Sequence, residues 1–242
     1  MNRFEDENNS IQKFFENMPE HFHIVEDNIN EITLKEYFQF SEKICYDDYA
    51  EVDLLIEGKK LFDNKISEEE IKKILILLAH NATVDSYRTI EKYLKLSDGK
   101  LKDWSILSFK ECKMFLENYL LDENQGFIST GLGGKNNKLR YFFLILSHSD
   151  APFNDNQKKI IEKNFIDVAN SFNSEIEELN FDINYAGMIA LVSMDVAVGM
   201  VIEKGIKKCN QKSLFIFQHY FVTNCEIPKK EEIPDIIKKI ME

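Results

Sequence analysis

The chain has 242 residues, 44% hydrophobic and 12% aromatic, enough apolar content for one large or two small packed domains and too much for wholesale disorder. No run approaches the roughly 18 consecutive apolar residues of a membrane-spanning helix, and the acidic opening MNRFEDENNS lacks the regions of a signal peptide, so a cytoplasmic protein is expected. The net charge of −12 is concentrated in residues 1–123, with 16 basic against 27 acidic residues, whereas residues 124–242 carry 14 against 15; broad nucleic-acid binding is therefore not expected, nor is membrane association.

Residues 1–32 form an acidic segment of mixed polarity in which Ile11, Phe14 and Phe15 hint at a short helix. Helical periodicity begins at Thr33, which has capping-box spacing to Glu36; Leu34, Tyr37, Phe38, Ser41 and Cys45 then share a face. A second helix is expected from Tyr49 towards Phe62, weakened by Gly58. Ser67 and Glu70 form another capping box ahead of the stripe Ile71, Ile74, Leu75 and Leu78. Val84, Tyr87, Ile90 and Leu94 mark the next helix, closed by the turn residues Ser97, Asp98 and Gly99. Leu101, Trp104, Ser108, Cys112, Phe115 and Tyr119 carry a longer one, with the single tryptophan on its buried stripe. No strand is expected before Gln125.

Within residues 67–121, LLAHNATVDSYRTIEKYL followed by LKDWSILSFKEC resembles HEAT-type helical repeats. The resemblance implies stacked antiparallel helix pairs whose work is to bind another protein. At most two units are present, against the three or more usual in a free-standing solenoid, so residues 33–123 are expected to form a short helical layer leaning on the second half.

Residues 124–242 read as a small two-layer α/β domain, giving an α+β or α/β protein overall. Strands are expected over Leu139–Ser147, Tyr185–Met194 and Leu214–Thr223. Between the first two lies a long helix opened by Asn154 and Gln157, with Ile161, Phe165, Val168, Phe172, Ile176 and Leu179 on one face. Asp195 is the expected cap of a helix bearing Val198, Val201, Ile202 and Ile206, and Pro234 opens a C-terminal helix. The order β–α–β–α–β favours parallel neighbours, with a ferredoxin-like arrangement of altered strand order as the alternative.

The most unusual stretch is GFISTGLGGKNNKLRYFFLILS, residues 126–147. It fails as a nucleotide-binding phosphate loop: Ser129 stands where the first glycine belongs, Asn136 replaces the hydroxyl residue, and a strand follows instead of a helix. What survives is a generic anion site in which the backbone around Thr130, Gly131, Gly133 and Gly134 and the cations Lys135, Lys138 and Arg140 hold a phosphate or carboxylate. The competing reading is a hairpin that needs positive φ. An alternative site gathers His148, Asp150 and Asp195 at the ends of parallel strands. His80 is expected at a helix end and His219 half-buried in a strand; His21 and His23 face one way only in an extended segment. The four scattered cysteines are expected as reduced thiols, and no cofactor or metal is implied. The function expected is a non-catalytic protein-binding or adaptor module, with a small-molecule or phosphate-binding enzyme or sensor as the alternative.

Overall fold

The computed structural model describes residues 21–44, 49, 53–63, 65–121, 125–149 and 151–241. Ile11, Phe14, Phe15, Cys45 and Asp150 lie outside these. The chain is a mixed α+β protein of two compact units, one built on Lys35–Ile128 and one on Ile24–Leu34 together with the chain from Ser129 onward.

The first unit is helical. Helix α1 (Glu31–Lys43) starts earlier than its sequence suggests, because the Asn30 side chain accepts hydrogen bonds from the amides of Ile32 and Thr33 at 3.0 and 3.4 Å. Thr33 is therefore buried inside the helix and is not its cap. Helix α2 (Leu54–Lys59), capped by Asp53, tightens into a 3₁₀ turn over Lys60–Phe62. Helix α3 (Glu68–Asn81) begins at Ser67, whose hydroxyl accepts from the Glu70 amide as the spacing requires. Helix α4 (Val84–Leu94) is capped by Thr83, and α5 (Gly99–Leu121) packs on both α3 and α4. Trp104 of α5 is buried against α3 and α1: its indole N–H donates to the Lys72 carbonyl at 3.2 Å, and its ring meets Tyr37 and Phe40 edge-on. The stripe runs out at the end of α5, where Tyr119, Leu120 and Leu121 are exposed. A two-stranded sheet joins β1 (His21–Ile24) to β2 (Gln125–Ile128), so a strand does precede Gln125.

The second unit contains β3 (Gly134–Lys135), β4 (Lys138–Ser147), α6 (Asp155–Ser171), β5 (Glu175–Phe181), β6 (Tyr185–Ser193), α7 (Val198–Cys209), β7 (Ile216–Thr223) and α8 (Ile233–Met241). Its main strands lie in the order β5–β6–β4–β7, with every pair antiparallel and β3 folded back on β4. The expected parallel sheet is thus corrected. The chain runs β–α–β–β–α–β, which is the ferredoxin-like pattern. The missing strand was β5. Ile176 and Leu179 continue the 3.6-residue period of α6, yet the helix ends at Ser171, Asn173 adopts φ 49°, and the Ser174 amide closes back on the Ala169 carbonyl at 2.9 Å. A bulge between Ile176 and Glu178 then resets the alternation, so Ile176, Leu179 and Phe181 all pack against the same core.

Both faces of the sheet are covered. On one, Phe143, Ile145, Met188 and Ala190 meet Ile161 and Phe165 of α6 and Val201 and Ile202 of α7. On the other, Phe142, Leu144 and Leu146 meet Leu132 and the α8 residue Ile233. Helices α6 and α7 approach closely because residue 205 is glycine: a Cβ there would fall 2.5 Å from the Phe165 ring. Gly205→Val is expected to cost about 2–3 kcal/mol by overpacking, read as a lower denaturant midpoint at unchanged m-value. Unaltered stability would show that this contact relaxes freely.

Candidate functional site

The glycine loop is a packed turn. Asn136 and Asn137, with φ of 50° and 61°, form the two-residue connection of the β3–β4 hairpin, with Lys135 opposite Lys138. The positive-φ positions are thus the asparagines, joined by Gly133 at 66°. Gly131 lies against the Cys225 carbonyl, Gly133 against the carbonyls of Glu26 and Asp27, and Gly134 against that of Lys138; a Cβ at any of them would clash with backbone. The Leu132 amide is taken by the Asn224 carbonyl at 3.0 Å and the Gly133 amide by the Thr130 carbonyl at 3.0 Å, while the Thr130 hydroxyl donates to the Gly133 carbonyl at 3.1 Å. Arg140 forks onto Glu177 at 2.5 and 3.1 Å and donates to the Leu132 carbonyl at 2.9 Å. Glu177 holds its guanidinium above the ordinary range, as a structural cross-tie does. Only Lys135 and Lys138 remain as cations of the expected cradle, on either side of the hairpin turn.

The alternative site is dispersed. Because β4 and β6 are antiparallel, with Lys138 opposite Ser193, Asp195 follows the strand end at which β4 begins. His148 follows the end at which β4 finishes, about 30 Å away along a strand of this length. Asp195 is exposed in a turn, and α7 has Ala197 at its cap position without a side-chain bond, so Asp195 is not the cap either. Among the described residues no group of three His, Cys, Asp or Glu side chains could hold a metal ion.

Two constellations emerge that sequence reasoning did not assemble. The first is a buried polar cluster in the helical unit. The Tyr37 hydroxyl donates to Glu111 Oε2 at 2.5 Å, His80 Nε2 lies 3.6 Å from Glu111 Oε1, and Ser41 Oγ lies 3.3 Å from the same His80 nitrogen. Burial raises the Glu111 carboxyl, opposed by the Tyr37 hydrogen bond, and burial lowers His80 to about 4. Ser41 Oγ and Glu111 Oε1 both address Nε2, so Ser41, His80 and Glu111 do not together form a nucleophile–base–carboxylate relay, which runs through opposite ring nitrogens. The sequence signal was Glu111 itself, a carboxylate beside Cys112 on the apolar stripe.

The second lies along β7. Residues 217–219 have no partner in β4, because Ser147 pairs with Ile216 and Ile145 with Tyr220. This bulge releases Phe217, Gln218 and His219 from the ladder, and His219 is exposed where a half-buried residue was expected. Three rings stand in a row: His148 and Phe217 with centroids 6.2 Å apart, Phe217 and His219 at 5.4 Å. His219 borders two grooves, one lined also by Glu203 and Lys207 of α7 and the other by Lys239 of α8, so each groove beside this ring holds a cation. Next to it the Tyr220 hydroxyl donates to Glu203 Oε1 at 3.1 Å; burial and that carboxylate hold the phenol above its usual range.

No family model and no curated protein matches the chain. Among solved structures it is similar to a candidate transposase of Deinococcus radiodurans R1, with 11% identity and a TM-score of 0.35 over 45% of this chain and 92% of that one. It is also similar to a REP-associated tyrosine transposase bound to a REP hairpin, with 11% identity and a TM-score of 0.33 over 43% of this chain and 66% of that one. Both are described as transposases, and neither description names a helical repeat or an adaptor. The expected protein-binding adaptor and the expected lack of broad nucleic-acid binding find no support in these likenesses. No helix among the described residues is long and apolar enough to cross a membrane.

Gly133→Ala, which combines positive φ with a clash against two carbonyls, is expected to destabilise the chain by about 3 kcal/mol; a calorimetric Tm within a degree of the parent would refute the packed-turn description. His80 gives a pH prediction of defined sign. Above pH 6.5 neither state binds its proton, so its contribution is complete; between 6.5 and about 4 only the unfolded state does, and stability falls as the pH falls. The stability lead of the parent over His80→Gln should therefore shrink by up to about 3 kcal/mol from pH 7 to pH 4. Urea titrations giving a lead constant with pH would contradict it.

Proposed function

We propose that the ferredoxin-like unit binds nucleic acid along β7, with unpaired bases stacking on the row His148, Phe217 and His219 and phosphates reaching Lys207 and Lys239. The observation that supports this reading is the bulge at 217–219, which turns adjacent rings out of the ladder beside two grooves that each hold a lysine. Bases of any sequence offer a π-face to such rings, and each stacking contact contributes about 1–3 kcal/mol. Two lysines in a chain of net charge −12 supply little long-range attraction, so stacking carries the larger share and affinity is modest. We place the chain in the cytoplasm, where Cys112, Cys209 and Cys225 persist as free thiols.

Fluorescence anisotropy with a labelled single strand of about 15 nucleotides tests the reading. Phe217→Ala should weaken binding about tenfold, the equivalent of one stacking contact. The logarithm of the binding constant should fall with the logarithm of salt concentration at a slope of about −1.4, for two phosphate contacts on a single strand. Binding indifferent to Phe217, or absent at protein concentrations up to about 100 μM, would overturn it.

A further inference from the structure

The C-terminal helix α8 covers the sheet face beside this row, and its seating differs from that of α6 and α7. Helices α6 and α7 each bury a full stripe of side chains in the larger core. In α8 only Ile233 is buried; Ile236, Ile237 and Ile240 are half-buried, and Met241 is exposed. Beneath them Tyr185, Phe217 and Phe221 are themselves only partly buried. Grooves open on both sides of the helix where it meets β7: one between His219, Phe221 and Ile240, the other between Thr223, Pro228 and Asp235. A nine-residue helix is too short to persist in water without its packing, so its order depends on this contact. Residues 224–232, which contain Pro228, form its tether and lie outside the helices and strands.

We propose that α8 is a displaceable cover: when it lifts, Phe221 and Tyr185 join Phe217 as a wider ring platform, and the closed helix restrains binding at β7. The proposal rests on the nucleic-acid reading of that strand. A closed cover shields part of the face that a ligand would use, so binding bears the cost of opening, and weakening the closed contact raises apparent affinity. Lys238 and Lys239 travel with the helix, so its basic face remains available to phosphates after displacement.

Two measurements on the full chain test this. Ile236→Gln with Ile240→Gln removes apolar contacts from α8 without adding charge, and should bind the same labelled single strand about tenfold more tightly than the parent. In the ligand-free parent, amides of 237–241 should exchange with solvent at least about 100-fold faster than those of α6, because the cover opens without global unfolding. Equal protection in α8 and α6 overturns the cover whatever the oligonucleotide does, and it remains decisive if the double variant fails to fold. Parent binding with unchanged or weaker binding by a folded variant also overturns it, while leaving the β7 reading intact. No binding by either protein, even with fast exchange in α8, removes the nucleic-acid reading and the restraint proposed on it together.

Discussion

Strand β4 is the constraint on which the second unit depends. It is paired on both sides along most of its length, with β6 on one flank and β7 and β3 on the other. Its alternation sends Phe143 and Ile145 into one core and Phe142, Leu144 and Leu146 into the other, so a one-residue slip would exchange the contents of the two. The β3–β4 hairpin, closed by Asn136 and Asn137, sets where that alternation begins. Arg140 then ties β4 to Glu177 of β5 across the intervening β6, since Arg140 and Glu175 are both opposite Leu191. The concentration of glycine and charge at residues 131–140 thus specifies register and close backbone passage.

The same framework leaves β5 and β7 at the outside of the sheet, and they are treated differently. Strand β5 carries Glu175, Glu177 and Glu178 and a bulge, two devices that discourage another strand from pairing with it. Strand β7 has a bulge but no carboxylate or lysine of its own; its bulged residues are Phe217, Gln218 and His219. This outer strand, lined by rings and bordered by grooves that hold Lys207 and Lys239, is the surface on which the proposed base stacking rests.

Much of this architecture was legible in the sequence because local signals agreed with tertiary needs. Ser67 caps α3, Asn154 caps α6 in a reciprocal box with Gln157, and Trp104 is buried on its stripe. Reading failed where one residue pattern satisfied two periods. Ile176 and Leu179 fit a helical face and also a bulged strand, and losing β5 turned an antiparallel sheet into a supposed parallel one. That error carried into the candidate site, since His148 and Asp195 share an edge only when strands run the same way. The rings of β7 were legible only as an alternating apolar strand, because a bulge formed against a distant partner leaves no mark in local spacing. The Tyr37–Glu111–His80 cluster joins residues from three helices, a contact set by packing that sequence separation conceals.

Trp104 is the only tryptophan in the chain, and it is buried entirely among helical-unit residues, against Tyr37, Phe40 and the carbonyl of Lys72. Its emission therefore reports the local packing of one unit, while circular dichroism sums the backbones of both. The ferredoxin-like unit has no tryptophan, so its unfolding shows in the circular dichroism and not in the tryptophan emission. The two units can thus be watched separately in one unlabelled sample, and non-coincident optical transitions would measure how independently they melt.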